Sequence, residues 1–200
     1  MRKNDGDRHS LPIPLLVGGP RVYLMLAEGF EEVEAVTVAD LLRRAEIEVS
    51  TVSVSGNKEV SGSHGISVRA DLELSEAELT TAEMVVLPGG MPGTVNLASC
   101  RPLTDALLER AGNRRLVAAI CAAPMVLGQL GILKGKRDTI YRGMEAELCG
   151  AEPVNEKVVT DDFVITSQGP GTAMDFGLAL IAFLKEKTAA EEVREGLLYR

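Results

Sequence analysis

The sequence predicts one α/β domain with a mostly parallel sheet, doubly wound by helices. Three observations lead to this fold class. Residues 21–54 have the pattern strand, helix, strand, which is typical of a parallel β-sheet unit. Two later runs, MVVL and LVAAI, are apolar throughout and predict buried strands. The chain has 200 residues, of which 46% are hydrophobic, and this is enough for one sizeable core.

The elements follow in order from a short apolar strand at residues 21–26. A segment with helical periodicity (31–45) and an alternating strand (47–54) come next, and then two short strands around a glycine turn within 59–70. The remaining predicted strands cover 84–87, 116–120, 158–160 and 163–166. The remaining predicted helices cover 102–111, 124–130, 172–185 and 189–198.

Residues 1–20 differ in pattern from the rest of the chain. Their apolar part is short and broken by Pro12 and Pro14, which is untypical of a signal peptide. We therefore predict a flexible extension at 1–20 and one domain at 21–200. The most apolar stretch, 173–184, carries Asp175 and is too short to span a bilayer, so no membrane partner is expected.

The charge and the numbers of cysteine and histidine residues disfavour several kinds of partner and of functional site. The net charge is −8 and the isoelectric point is near 4.9, so binding to nucleic acid or to an anionic membrane surface is not expected. The three cysteines are odd in number and have no CxxC spacing, which disfavours a disulfide framework or a zinc site and indicates the reducing cytoplasm. With two histidines in the chain, we expect neither histidine catalysis nor a bound metal.

Ligands of such folds bind at the carboxyl ends of the parallel strands. The loops at those ends read AEGFEE, PGGMPG and CAAP, and the last begins with Cys121. A turn from strand to helix exposes its residue to the free N–H groups of the helix, which lower the pKa of a thiol and make it a better nucleophile. The alternative is that Cys121 is a small buried apolar residue.

Gly89 and Gly90 follow the predicted strand at 84–87, which precedes the strand that leads to Cys121. A backbone N–H there, together with the N–H of Ala122, could form an oxyanion hole near the thiol. The alternative is an ordinary Gly-Pro turn.

Carboxylates crowd the start of the first helix at Glu31, Glu32 and Glu34. The simplest interpretation is that they balance the positive end of the helix dipole. Glu34 also lies beside the apolar stripe of Val38 and Leu41, and an inward carboxyl group could stay protonated and transfer a proton. Periodicity alone does not separate Glu34 from Glu31, because Glu31 aligns with Val38 as well.

Other polar motifs carry weaker signals. The segment SQGPGT at 167–172 could be a phosphate-binding nest but lacks the lysine and spacing of a P-loop, which favours a structural turn. Cys100 and Cys149 lie in polar sequence and are interpreted as incidental. His64 lies in a Gly/Ser turn and is interpreted as solvated.

Four segments in register resemble the ThiJ/PfpI superfamily, and within it the DJ-one-like branch. They are LAEGFEEVEAV (26–36), VVLPGGMPG (85–93), AAICAAP (118–124) and ITSQGPGTAMDF (165–176). The resemblance implies a flavodoxin-like sandwich in one domain, a homodimer, and no cofactor or metal. It implies Cys121 as the nucleophile, Glu34 as the protonated partner, and the amides of Gly90 and Ala122 as the oxyanion hole.

The same resemblance places Arg44, Tyr141 and Pro170 at the pocket or the dimer edge. The chain departs from the protease-like branch, which has a histidine immediately after the cysteine, where this chain has Ala122. Tyr141 stands where human-type members have a pocket histidine. Peptidase activity of the Cys-His type and a Cys-His-Glu amidotransferase are therefore not expected.

The activity that the resemblance implies is a glutathione-independent glyoxalase or deglycase acting on small dicarbonyls such as methylglyoxal. The alternative is a redox sensor or stress-responsive chaperone, in which Cys121 is oxidised to a sulfinate that Glu34 stabilises by a hydrogen bond. The same two residues serve both hypotheses, so the sequence leaves the choice open.

Overall fold

The computed structural model describes residues 21–200, and the predicted extension at 1–20 lies outside the described residues. A central sheet of seven strands runs in the order β10-β11-β7-β6-β1-β2-β5. Its neighbours are parallel except β10 and β11, which form an antiparallel hairpin. The strands of this sheet are β1 (Arg21–Leu26), β2 (Glu48–Ser53), β5 (Leu72–Glu73), β6 (Met84–Leu87), β7 (Leu116–Ile120), β10 (Val158–Asp161) and β11 (Val164–Ser167).

Two small ribbons and the helices complete the fold. The ribbons pair β3 (Glu59–Ser61) with β4 (Ser67–Arg69) and β8 (Arg137–Asp138) with β9 (Glu152–Pro153). The helices are α1 (Glu32–Arg44), α2 (Gly93–Ser99), α3 (Arg101–Gly112), α4 (Pro124–Gln129), α5 (Ala173–Leu184) and α6 (Lys187–Gly196). Short 3-10 turns occupy Leu74–Glu76, Glu145–Leu148 and Pro170–Thr172. Among the described residues, no helix has both the length and the hydrophobicity needed to cross a membrane.

Alternation along β1 divides the core into two layers. Val22 and Leu24 face one side of the sheet, against α1, α5 and α6, while Tyr23 and Met25 face the other side, against α2, α3 and α4. β6 and β7 are covered on both faces, which explains why their sequences are apolar throughout. The predicted flavodoxin-like α/β fold, with helices on both faces of a mostly parallel sheet, is confirmed.

Helix α2 and the two-residue strands β5, β8 and β9 were not expected from the sequence. The segment GTVNLAS contains weak helix formers, and α2 depends on its surroundings. The Thr94 N–H donates to the Gly90 carbonyl at 2.9 Å, and Leu97 is buried against the core. Strands of two residues are too short to show any alternation.

A buried arginine holds the amino-terminal side of the sheet together. The guanidinium of Arg110 on α3 is fully buried and donates four hydrogen bonds of 2.6–2.9 Å, all to main-chain carbonyls; these belong to Leu79, Ala82, Glu83 and Leu116. Burial lowers the pKa of Arg110 to about 10, so it stays charged at neutral pH. One side chain thus bonds three carbonyls of the segment before β6 and one carbonyl at the start of β7.

We predict that Arg110→Met lowers the free energy of unfolding by roughly 3 kcal/mol or more, because four carbonyls lose their donors. Urea unfolding measures the change. Arg115→Met is the matched control: Arg115 is exposed, donates one bond to Thr81, and its loss should change stability by about 0.5 kcal/mol or less. Equal effects of the two substitutions would contradict the role assigned to Arg110.

Candidate active site

The loops that follow β1, β6 and β7 meet at the carboxyl edge of the sheet. The Glu31 N–H donates to the Gly89 carbonyl at 2.8 Å, and the Gly93 N–H donates to the Gly29 carbonyl at 3.1 Å. The Gly89 N–H in turn donates to Glu34 Oε2 at 2.7 Å. These bonds fix the start of α1 against the glycine loop after β6.

Cys121 follows β7 directly and has a left-handed backbone with φ of +63°. This conformation costs a non-glycine residue roughly 1–3 kcal/mol. Two hydrogen bonds hold it: the Cys121 N–H donates to the Ser167 carbonyl at 2.9 Å, and the Cys121 carbonyl accepts from the Tyr141 N–H at 2.9 Å. The sharp turn directs the thiol into the space between the loops, where it is 9% exposed.

Glu34 lies beside this thiol and is completely buried. Its Oε1 accepts no hydrogen bond from the described residues, although Oε2 is bonded to Gly89. Glu31, the alternative left by periodicity, immediately precedes α1, and its side chain contacts the β3–β4 turn instead. The rotation of α1 therefore brings Glu34, and not Glu31, to Cys121.

Burial is the largest cause of the pKa shift at both acidic groups, and their contact lowers the pKa of Glu34 while raising that of Cys121. Burial raises the pKa of Glu34 to about 7. Burial and then the charge of Glu34 raise the pKa of Cys121 to about 12, although N–H groups of Ala122 and Gly90 directed at the sulfur act in the opposite direction. The expected lowering of the thiol pKa is therefore wrong, because the effect of burial exceeds that of the amides. Near neutral pH the pair holds at least one proton.

Glycine is required on the wall facing the thiol. A Cβ at Gly89 would lie 2.6 Å from Cys121 Cβ and 2.9 Å from Glu34 Oε2. Gly90 has φ of +92°, and a Cβ there would lie 2.4 Å from the Glu31 nitrogen. Without side chains, the loop brings the Gly90 amide to the sulfur, which the amide of Ala122 also approaches.

Of the three residues predicted at the pocket or the dimer edge, Tyr141 and Pro170 lie in segments that border Cys121, and Arg44 lies far from it. Tyr141 donates its N–H to Cys121, and its ring lies next to Gly169. Pro170 follows Gly169, three residues beyond the end of β11. Arg44 is the last residue of α1, about 15 Å along the helix from Glu34, and pairs with Asp40 at 2.6 Å. Of the two places predicted for Arg44, the pocket or the dimer edge, this distance leaves the dimer edge, which stays a prediction.

The weaker motifs have structural explanations. The hydroxyls of SQGPGT bond internally: Ser167 Oγ donates to the Lys157 carbonyl at 2.6 Å, and Thr172 Oγ1 accepts from the Gly169 N–H at 3.1 Å. Cys149 is exposed. Cys100 is half-buried against the apolar core, not in polar surroundings as expected. The His64 side chain is 68% exposed and bonds to Glu32.

Asp138 is a residue that the sequence analysis missed. It is completely buried at the end of β8, and it contributes to holding the segment that leads to Tyr141. The Thr139 N–H donates to Asp138 Oδ1 at 3.0 Å and to Thr166 Oγ1 at 3.1 Å. Burial raises the pKa of Asp138 to about 6. A lone aspartate in a two-residue strand offers no sequence pattern that would have revealed it.

The chain is similar in sequence to proteins of one family. A sequence model described as the DJ-1/PfpI family matches residues 20–183. Protein dj-1beta of Drosophila melanogaster is 38% identical over 177 residues, covering 88% of this chain and 95% of that protein. Protein DJ-1 homolog B of Arabidopsis thaliana is 35% identical over 187 residues, which are 90% of this chain. This chain spans 43% of the Arabidopsis protein's length.

One relative's name states an activity, and one solved structure's title states a redox form. The protein named glutathione-independent glyoxalase DJR-1.2, from Caenorhabditis elegans, is 32% identical over 169 residues, covering 82% of this chain and 89% of that protein. The structure described as Toxoplasma gondii DJ-1, oxidized, matches with a TM-score of 0.87 and 35% identity. The match covers 90% of this chain and 99% of the other.

Asp138 generates a prediction about pH and stability. Because its pKa is raised on folding, from about 3.9 in unfolded chains, its proton contributes stability that is complete below pH 4 and is lost as the pH rises through about 6. Asp138→Asn removes this dependence. Relative to the original protein, the variant should therefore gain roughly 3 kcal/mol between pH 4 and pH 8 in urea unfolding. A difference that does not change with pH would contradict the prediction.

Proposed function

Because the chain belongs to the DJ-1/PfpI family, we propose that it is a cofactor-free, cysteine-dependent glyoxalase acting on small dicarbonyls such as methylglyoxal. The name of the Caenorhabditis elegans relative supports the reaction class. Deglycation of early protein adducts would follow from removal of the free dicarbonyl. The proposal places the protein in the reducing cytoplasm, where Cys121 stays a thiol.

The observation that carries the proposal is the position of a completely buried carboxyl group next to Cys121. The thiol has as neighbours a carboxyl group with a pKa near neutrality and the N–H groups of Gly90 and Ala122. A nucleophile, a proton carrier and oxyanion donors are the groups that an aldehyde addition followed by a proton shift requires.

The first step is addition of Cys121 to the aldehyde. The sulfur forms a bond to the aldehyde carbon while the thiol proton passes to the Glu34 carboxylate, so a free thiolate need not accumulate. The aldehyde oxygen becomes an alkoxide that accepts hydrogen bonds from Gly90 and Ala122. It then takes the proton held by Glu34, which gives a hemithioacetal and restores the Glu34 carboxylate.

The second step moves a proton between neighbouring carbons. The Glu34 carboxylate removes the hydrogen from the former aldehyde carbon and returns a proton to the ketone carbon. The hydroxyl proton of the hemithioacetal moves to the ketone oxygen, so the first carbon is oxidised and the second reduced without an external oxidant. The product on Cys121 is a thioester of lactate. Water hydrolyses it, releasing lactate and restoring the thiol.

The second candidate function is redox sensing through oxidation of Cys121, as a stress-responsive protein or chaperone. It is favoured by the same buried pair, since a protonated Glu34 can donate a hydrogen bond to an oxidised sulfur. The related Toxoplasma gondii structure is described as oxidised. Turnover separates the two functions, because a sensor oxidises selectively at Cys121 without consuming dicarbonyl.

We also propose that the chain forms a homodimer through the outer face of α1. Val33 and Val36 lie one turn apart on this helix and are each 51% exposed, and Ile66 on the neighbouring β3–β4 turn is 60% exposed. The backbone of Ile66 bonds to Glu32 on α1 at 3.3 Å, so the three apolar side chains belong to adjoining segments. A second copy with the same patch would cover them.

We predict that Cys121→Ala abolishes methylglyoxal consumption measured without glutathione or metal, with lactate as the product in the original protein. Cys100→Ser and Cys149→Ser are the matched controls and should keep the activity. Glu34→Gln should cut kcat by roughly 100-fold or more, because an amide does not transfer the proton. Each variant's thermal unfolding is measured to confirm the fold.

Three results would count against this assignment. Original rates in Glu34→Gln would remove the role of Glu34, and loss of activity in a folded Cys100→Ser or Cys149→Ser would mean another nucleophile. Absence of turnover in the original protein, with peroxide oxidising Cys121 selectively in mass spectrometry, would support the redox sensor instead.

The dimer proposal predicts that Val36→Asp shifts the original protein from dimer to monomer in light scattering coupled to size exclusion, because a charge would be buried in the interface. Leu108→Asp is the matched control, since Leu108 is 45% exposed on α3, on the opposite face of the sheet. A monomeric original protein, or a dimer unaffected by Val36→Asp, would contradict the proposed face.

A further inference from the structure

A second cluster of polar side chains lies between the start of α1 and the β3–β4 turn. It consists of Glu31, Glu32, Ser63 and His64, and we call it the carboxylate–imidazole cluster. The Glu31 and Glu32 carboxylates and a ring nitrogen of His64 each offer one atom, and these atoms lie within 4.8 Å of one another. None of the chemistry proposed for Cys121 uses these side chains.

The spacing of the donor atoms fits a tetrahedral ion site. His64 Nδ1 lies 2.9 Å from Glu32 Oε2, 3.7 Å from Glu31 Oε2 and 3.1 Å from Ser63 Oγ. Ser63 Oγ lies 3.5 Å and 3.3 Å from the same Glu31 and Glu32 oxygens. Ligands about 2.0–2.2 Å from zinc in a tetrahedron are roughly 3.4 Å apart. These five of the six separations bracket that value, and the Glu31 and Glu32 atoms of the sixth pair lie within 4.8 Å of each other.

The carboxylates are also buried, unlike those of ordinary surface clusters. The Glu31 side chain is 12% exposed and the Glu32 side chain is 7% exposed. Within the described part of the chain, the contacts of the Glu31 carboxylate with a donor are those to Ser63 and His64, at 3.5 Å and 3.7 Å. Glu31 is thus a nearly buried carboxyl group whose nearest donors lie at 3.5 Å and 3.7 Å, both within the cluster.

Glu32 has one oxygen engaged and one directed at the cluster. Its Oε1 accepts from the backbone N–H groups of His64 and Ile66, at 2.7 Å and 3.3 Å, which fixes the carboxylate in place. Gly62 makes the space for it, since a Cβ there would lie 2.3 Å from the Glu32 carboxyl carbon. The other oxygen, Oε2, remains for a cation, and the largely exposed His64 leaves a path from solvent.

We propose that the carboxylate–imidazole cluster binds one divalent cation of the zinc class through Glu31, Glu32 and the Nδ1 of His64. Ser63 Oγ or a water takes the fourth position. One nitrogen and two carboxylate oxygens are a donor set that suits Zn²⁺ and Co²⁺. The ion replaces the hydrogen bond between His64 and Glu32 and ties the β3–β4 turn to the start of α1. This site goes beyond the proposed function, which needs no metal.

The test is a Co²⁺ titration of the metal-free full chain, followed by visible absorption. We expect one Co²⁺ per chain, d–d bands without a thiolate charge-transfer band, displacement by Zn²⁺, and a higher thermal midpoint with either ion. His64→Ala should weaken Co²⁺ binding at least ~10-fold. Glu31→Gln should do the same while leaving the Glu32 bonds to the turn intact, so it serves if His64→Ala folds poorly.

Matched controls separate this site from other places a metal could bind. His9→Gln removes the other histidine of the chain, and Cys121→Ser removes the thiol; both should bind Co²⁺ with unchanged affinity. Absence of binding to the original protein would overturn the proposal. So would binding that is lost in Cys121→Ser or His9→Gln but kept in Glu31→Gln. Neither result bears on dicarbonyl turnover, which is measured without metal.

Discussion

The left-handed backbone of Cys121 is the constraint from which the rest of the candidate site takes its geometry. It is imposed from two sides, by the Ser167 carbonyl on β11 and by the Tyr141 N–H on the segment after β8. The register of β7 with β11 places Ile120 opposite Ser167, so the sheet itself delivers one of these bonds. These two hydrogen bonds offset the backbone strain of the left-handed turn. They hold the thiol where the loops after β1, β6 and β7 meet.

The second requirement is a carboxyl group delivered to that point from a different element. Glu34 arrives on α1, whose rotation is set at its far end by close packing on α5, where a Cβ at Gly177 would lie 2.4 Å from Leu41 Cδ1. At its near end, the bond from Glu31 to Gly89 fixes the start of the helix. Burial then raises the pKa of both Glu34 and Cys121. The two side chains therefore share protons as one coupled pair, and Cys121 is not a preformed thiolate.

The hydrophobic pattern of the sequence predicts most strands and the long helices. It does not predict features that depend on tertiary packing. The bounds of β6 and β7 were predicted correctly because strands covered on both faces are apolar at every position. Glu34 and Glu31 have the same periodicity, and packing against α5 and the glycine loop chooses between them. The sign of the thiol pKa shift depends on burial that no spacing reveals. The resemblance offered either the pocket or the dimer edge for Arg44; it lies at the far end of α1 from Glu34, so the dimer edge stays a prediction.

The edges of the central sheet determine how this protein can meet other chains. One edge is β5, which is two residues long, and the other is β10, a four-residue strand turned antiparallel to its neighbour. Strands this short present few unpaired main-chain groups to an incoming strand, so edge-to-edge growth into aggregates has little template here. The proposed homodimer uses side chains of α1 and the β3–β4 turn instead, and a contact between two identical patches closes at two copies without continuing as a filament.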